Sequence, residues 1–277
     1  MTEEYQVLDV HHHVGNAFRA LGGDLENAPD LAADEYASKE IDSRIEIMEN
    51  SGVQQALVIP GHGYERVNGI ADTRAENDAI AAYRDAHPTR FPGAIGIVEP
   101  RDGEASLEEL DRAKNELGLV GMSFHTRFQG VSLDSQWILK YVARMADLGL
   151  VPVIHAMNET PEEALWKLAV VARSIPNTPV LALDAFCSYE GTRECSFVAE
   201  VAPNIVFDTS LSYNFDFIED FARRFGIERV AFGTDLYSTP VGRRISHLLP
   251  QIKESALSRD EKQLILAGNA RRLFSID

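Results

Sequence analysis

Short apolar runs alternate with longer amphipathic stretches along the whole chain. The runs fall at residues 7–13 (VLDVHHH), 55–61 (QALVIPG), 93–99 (GAIGIVE), 119–125 (LVGMSFH), 151–156 (VPVIHA), 179–185 (PVLALDA), 204–210 (NIVFDTS) and 229–235 (RVAFGTD). Each is aliphatic or β-branched and bounded by Gly, Pro, Asn or Asp, the pattern of strands buried on both faces. Between them apolar residues recur at helical spacing: Ile41, Ile45 and Met48; Ile80, Ala81 and Tyr83; Leu107, Leu110, Ala113 and Leu117; Ile138, Val142, Met145 and Leu148. Helix starts are expected at Asp134, at Thr160-Pro-Glu-Glu163 and at Ser258-Arg-Asp-Glu261, where a capping residue precedes acids. Stops are expected at Gly52, Gly118, Gly149 and Gly226.

Eight such units are best buried as a closed parallel (β/α)8 TIM barrel, read here as one domain over residues 1–277. An open doubly wound sheet would normally carry a Gly-rich phosphate loop after its first strand, and His11-His12-His13-Val14-Gly15-Asn16 stands there instead. Residues 14–39 form a candidate lid or insertion after strand 1. Residues 257–277 are expected to form a C-terminal helix.

The strands end in ionisable residues: His11, His12 and His13, then His125, His155, Asp184, Asp208 and Asp235. Barrel strand ends converge on one face, and a buried ionisable group is costly unless paired or metal-bound. His11 and His13 lie two apart on a strand, so both leave the same face, about 7 Å apart at Cα. His12 is expected to point towards the helices. Asp9 shares the facing of His11 by the same alternation, and is expected to fix a histidine tautomer. Arg19 and Arg127 are candidates to hold a substrate carboxylate, and His62 is a candidate to reach the substrate from the loop after strand 2.

Composition narrows the function classes. The chain has 277 residues, with 26 Lys+Arg against 43 Asp+Glu and a formal net charge of −17. No cluster of four or more basic residues offers a nucleic-acid groove, so none is expected as partner. Two cysteines make no disulfide framework, MTEEYQVLDV lacks the features of a signal peptide, and no apolar run approaches a membrane span. The expectation is a cytoplasmic protein with no membrane contact, acting on a small molecule, with a homo-oligomer or association with a homologous subunit open.

Four motifs then resemble the amidohydrolase superfamily, in its amidohydrolase-related branch that includes aromatic-acid decarboxylases. They are Asp9-Val-His11-His12-His13; Glu76-Asn77-Asp78 through His87-Pro-Thr-Arg90-Phe91; Phe232-Gly-Thr-Asp235; and Gly268-Asn269-Ala-Arg271-Arg272-Leu-Phe274, in order from about residue 7 to 275. The resemblance implies a (β/α)8 barrel with one or two divalent metals. It implies His11 and His13 from strand 1, His155 from strand 5 and Asp235 from strand 8 as ligands. Three nitrogens and a carboxylate suit zinc, with manganese and iron as alternatives. Asp235 would both bind the metal and shuttle a proton.

Two positions depart from that pattern. Strand 4 lacks the lysine that bridges binuclear centres and ends in His125, a candidate electrophile or acid; this favours one metal. Strand 6 ends in Asp184 where a histidine is usual, a candidate ligand, acid–base group or buried cap. The absent strand 6 histidine and a rather short chain lean the expectation towards a metal-dependent hydrolase of an amide, lactone or ester in a small, carboxylated molecule. A metal-dependent non-oxidative decarboxylase of an aromatic or unsaturated acid is the alternative, followed by an iron oxygenase or a non-catalytic subunit.

Overall fold

Alternation along the strands sorts their side chains between two cores, and that sorting builds the molecule. The computed structural model describes residues 5–14, 33–61, 67–236 and 247–276, with the side chains of the first helix from residue 40 onward. All eight runs form strands: β1 (Leu8–Val14), β2 (Gln55–Pro60), β3 (Gly93–Ile97), β4 (Gly121–Phe124), β5 (Val151–His155), β6 (Val180–Leu183), β7 (Ile205–Asp208) and β8 (Val230–Ala231). Each pairs in parallel with the next, in sequence order. Val10 N–H donates to Phe232 O at 3.0 Å and His13 N–H to Leu236 O at 2.8 Å, joining β1 to the β8 end of the sheet. The fold is therefore the expected (β/α)8 barrel.

Helices fill the connections: α1 (Ala33–Ser51), α2 (Ile70–Ala86), α3 (Glu104–Asn115), the single turn α4 (Thr126–Gln129), α5 (Gln136–Leu148), α6 (Leu165–Ser174), α7 (Tyr189–Val201), α8 (Phe215–Phe225), α9 (Leu248–Glu254), α10 (Arg259–Gln263) and α11 (Asn269–Phe274). One core fills the barrel itself, with Leu8, Val10, Leu57, Ile59, Ile95, Val153, Leu181 and Leu183. The other lies between strands and helices, with Val58, Met122, Phe124, Ile154, Ala182 and Phe207. Ala267, Ala270, Leu273 and Phe274 plug the N-terminal end of the barrel. The opposite, C-terminal mouth is left to polar residues.

Several expected boundaries shift for local reasons. The predicted strand 8 runs to Asp235, but its ladder ends at Ala231. Beyond that point Phe232 N–H donates to Ile265 O, Gly233 N–H to Thr209 Oγ1 and Thr234 N–H to Asp9 Oδ1, so other groups replace the ladder bonds. Ser135, not Asp134, caps α5, its side chain accepting from Ile138 N–H. The capping box at Ser258 and Glu261 is present. The C-terminal helix runs from Arg259 to Phe274 through one π turn at Leu264–Gly268. Of the candidate lid, residues 33–39 belong to α1 and residues 15–32 lie outside the described residues.

Two of the recognised motifs are structural. Asn77 Nδ2 donates to Ile97 O at 3.1 Å, and Ile97 N–H returns a bond to Asn77 Oδ1 at 2.8 Å, fastening α2 to β3. Asn269 Nδ2 donates to Ile227 O and Val230 O, both at 2.7 Å, fastening the closing helix to β8. Such bonds satisfy backbone carbonyls that would otherwise be buried without partners.

Candidate active site

Simple alternation carries most of the site residues into the mouth. Gly121 and Ser123 precede His125 by fours and twos, Val151 and Val153 lead to His155, Val206 to Asp208 and Ser210, and Ala231 to Gly233 and Asp235. Strands 1 and 6 need a device. A bulge between Asp9 and His12 lets the consecutive residues Val10 and His11 both turn inward, followed by His13. The expectation that Asp9 shares the facing of His11 fails for that reason: Asp9 Oδ2 lies 3.0 Å from His12 Nδ1, and its oxygens also accept from Thr234. Asp9 thus ties β1 to the end of β8, and His12 packs outward near Phe91 as expected. Asp184 reaches the mouth through a left-handed backbone (φ 64°), and Asp235 shares that conformation (φ 54°). Non-glycine residues rarely adopt it, and such strain gathers at functional sites.

The histidines converge. Nε2 of His11 and of His13 are 3.0 Å apart, and one ligand atom from each of His11, His13 and His155 falls within 4.8 Å of the others. Asp235 Oδ1 lies 3.4 Å from His11 Nε2 and 3.5 Å from His13 Nε2. Two donors each about 2.1 Å from one ion are about 3.0–3.4 Å apart at right-angled to tetrahedral spread, so these separations fit a common divalent cation. The opposite nitrogens are oriented as such a site requires. His13 Nδ1 donates to Pro60 O at 3.1 Å, His155 Nδ1 to Phe124 O at 2.9 Å, and His11 Nδ1 lies 2.9 Å from both Asp208 Oδ2 and Ser210 Oγ. Gly233 makes room for this: a Cβ there would sit 2.6 Å from Asp208 Oδ2 and 3.1 Å from His11 Cβ. The residues fit a divalent metal.

Asp184 stands beside His11 and Ser210. Its Oδ1 accepts from Ser210 Oγ at 2.9 Å and lies 3.8 Å from His11 Nδ1, while its own N–H donates to Asp208 Oδ1 at 3.0 Å. Burial by itself would lower the His11 pKa, but Asp184, Asp235 and Asp208 together raise it to about 10. His155 is as deeply buried and is lowered to about 4, first by burial and then by His11 and Arg127 against the pull of Asp184.

His125 forms the other wall. Its ring stacks on that of His155 at 4.1 Å between centroids and 8° between planes. Its Nδ1 lies 2.6 Å from Oε1 of Glu163, a carboxylate whose side chain is wholly buried. Thr160-Pro-Glu-Glu163 is therefore not the helix cap the sequence suggests. Helix α6 begins at Leu165 without a side-chain cap, and Glu163 turns inward instead. Burial pushes its carboxyl up to about 8, against the N–H and charge of Arg127. Arg127 sits at the rim, Nε 3.5 Å from Glu163 Oε2 and its guanidinium over the Phe128 ring. Arg19 and His62 lie outside the described residues. Glu163 and Ser210 are the site residues that the sequence did not single out.

Fold and mouth together define a TIM-barrel protein of the enzyme type, with its polar cluster where such barrels carry their chemistry. The chain belongs to the amidohydrolase family, whose model matches residues 8–276. It is similar to the 2-amino-3-carboxymuconate-6-semialdehyde decarboxylase of Dictyostelium discoideum, 24% identical over 73% of this chain and 66% of that protein. It is also similar to decarboxylase orsB of Emericella nidulans, 30% identical over 48% of this chain and 41% of that protein. The matches thus span 66% and 41% of these relatives' lengths. In fold it resembles the 5-carboxyvanillate decarboxylase of Novosphingobium aromaticivorans complexed with manganese and 4-hydroxy-3-methoxy-5-nitrobenzoic acid. That likeness has a TM-score of 0.69 and 16% identity over 99% of both chains.

These relatives overturn the hydrolase expectation, since they are decarboxylases. The missing strand 6 histidine, which leans the sequence towards hydrolysis, loses its weight because the structure places His125 beside His155 in the same mouth. Among the described residues no helix is long and apolar enough to cross a membrane.

Proposed function

We propose that the protein is a metal-dependent, non-oxidative decarboxylase of a small aromatic or unsaturated carboxylic acid. The observation that carries this reading is the pairing of two arrangements in one mouth: the His11, His13, His155 and Asp235 cluster, and His125 stacked against it with Nδ1 on Glu163. A divalent cation held by the cluster would anchor substrate oxygens and withdraw electron density from the carbon that bears the carboxylate. Manganese, present with the Novosphingobium enzyme, is tested first alongside zinc.

The chain's own groups supply the rest. Decarboxylation breaks the C–C bond to the carboxylate, CO2 leaves, and the electron pair on the ring carbon takes up one proton. In the imidazolium form, with Nδ1–H bonded to Glu163, His125 would deliver that proton from Nε2; the ring is left as the neutral Nδ1–H tautomer, and solvent then restores the Nε2 proton. Arg127 at the rim attracts the substrate anion locally, against a net charge of −17. Asp208 and Ser210 orient His11. Asp235, near both His11 and His13, serves as a ligand rather than as a proton shuttle to a leaving group.

The test is CO2 release from a panel of hydroxylated benzoates and unsaturated diacids, with enzyme stripped of metal and then reloaded with manganese or zinc. Release that depends on metal supports the reading. No release across the panel, from protein shown to carry a full equivalent of metal, counts against it.

A further inference from the structure

The His125 ring, the acid–base group of the proposed reaction, does not hold itself in the mouth. Its main chain is fixed first: His125 N–H donates to Gln129 Oε1 at 3.0 Å, and Gln129 Nε2 donates to Val98 O at 2.7 Å. The ring is then gripped on one face by His155 and at its edge by Phe128, whose centroid lies 4.5 Å away. Neither contact chooses between the two nitrogens, since stacking is indifferent to where the proton sits. The bond from Nδ1 to Glu163 makes that choice.

Glu163 is itself over-determined. Its main-chain oxygen accepts from Met157 N–H at 3.0 Å, and Leu133 N–H donates to Glu162 O at 2.9 Å. Its Oε1 also accepts from Arg127 N–H at 3.2 Å. The loop after β5 is thereby closed on itself between Met157 and Glu163 and stapled to α4 and to the segment before α5. A residue needed only to start α6 would face solvent at the helix N-terminus; this one is withdrawn into the barrel mouth and given to one imidazole nitrogen.

We propose that Glu163 is the positioning residue of the reaction: it fixes the His125 tautomer and ring orientation so that Nε2, and not Nδ1, meets the carbon losing its carboxylate. The role stands in for the absent strand 6 histidine by bringing a histidine from strand 4, with its carboxylate partner from the loop after strand 5. It rests on the decarboxylase reading for its chemistry but not for its geometry, and the test separates the two.

Nitrogen-15 NMR of the histidine rings is recorded on protein loaded with diamagnetic zinc as wild type, Glu163→Ala and Glu163→Gln, with kcat, KM and metal content on the same preparations. Gln keeps an oxygen that accepts from Nδ1–H. The expected result is an Nδ1–H signal for His125 in wild type and Glu163→Gln that is lost in Glu163→Ala. In parallel, kcat falls about 100-fold in Glu163→Ala, KM changes less than about threefold, and Glu163→Gln recovers to within about tenfold of wild type. An unchanged His125 tautomer in Glu163→Ala overturns the inference, as does equal loss in Ala and Gln variants. If Glu163→Ala does not fold, Glu163→Asp, which withdraws the carboxylate by one methylene, takes its place with the same readouts. If wild type releases no CO2, the decarboxylase reading fails, and the tautomer comparison alone still decides whether Glu163 positions His125.

Discussion

His11 and His155 face the same mouth, are equally buried, and are pushed in opposite directions. Burial lowers both; around His11 the carboxylates of Asp184, Asp208 and Asp235 overcome it and raise the pKa to about 10, while His155 falls to about 4. The β1, β6, β7 and β8 side of the mouth thus gathers three carboxylates around His11. On the β4 and β5 side His125 stacks on His155 and sets its Nδ1 against the buried Glu163, which leaves His125 as the ring suited to proton transfer. Desolvation cannot explain a difference between two groups that share it. Neighbouring charge does, and on the proposed function the carboxylate-rich side would hold the cation, with His155 reaching it from β5, while His125 would deliver the proton.

The largest effect that would sharpen this division comes from His125→Asn. Removing the proton donor is expected to lower decarboxylation about 100- to 10,000-fold while leaving metal content unchanged. Loss of metal together with activity would break the division. On the other side, Asp208→Asn leaves the Nδ1 partner of His11 uncharged, and metal affinity measured by titration with a competing chelator is expected to fall about 10- to 100-fold. Unaltered affinity would mean that Asp208 serves the fold alone.

Titration of metal-free protein gives a smaller, signed effect. The raised groups contribute stability below their unfolded values: that of Glu163 is lost as pH rises through about 8, and that of His11 as pH rises through about 10. His155, lowered to about 4, contributes above its unfolded value of 6.5 and loses this as pH falls through about 4. The Tm of chelated protein should therefore decline from pH 6.5 to 10, with a shallower slope between pH 6.5 and 8 in Glu163→Gln, where the His11 contribution alone remains. Metal competes with the proton on the cluster, so added metal should flatten the later part and bind more tightly as pH rises. A Tm that climbs across this range would reject the assignment.

The smallest expected effect lies at the far end of the barrel. Asn269→Ala removes two bonds to the carbonyls of Ile227 and Val230, and is expected to cost about 1–3 kcal/mol in denaturant unfolding without altering metal affinity. A changed metal affinity would show that the closing helix reaches the mouth.

The barrel was legible in the sequence because each buried strand is a short apolar run between breakers, and buried runs carry the same signature wherever they fall. His125, His155, Asp208 and Asp235 were legible because an ionisable group two residues beyond an inward-facing position continues the alternation. Asp9 was misread because a bulge, invisible to period-two counting, breaks that alternation between Asp9 and His12. Glu163 was misread because Thr-Pro-Glu-Glu carries a helix-start pattern, and only the packing of the loop against His125 decides which way the side chain turns. Ser210 continues the alternation of β7, but a serine there is not an ionisable group; its hydroxyl gains meaning from Asp184 and His11, far away in sequence.

The division of labour is tested most directly by measuring metal content and CO2 release on one preparation of His125→Asn beside wild type. The account predicts equal metal and at least about 100-fold slower release in the variant. Equal metal with undiminished release would contradict it.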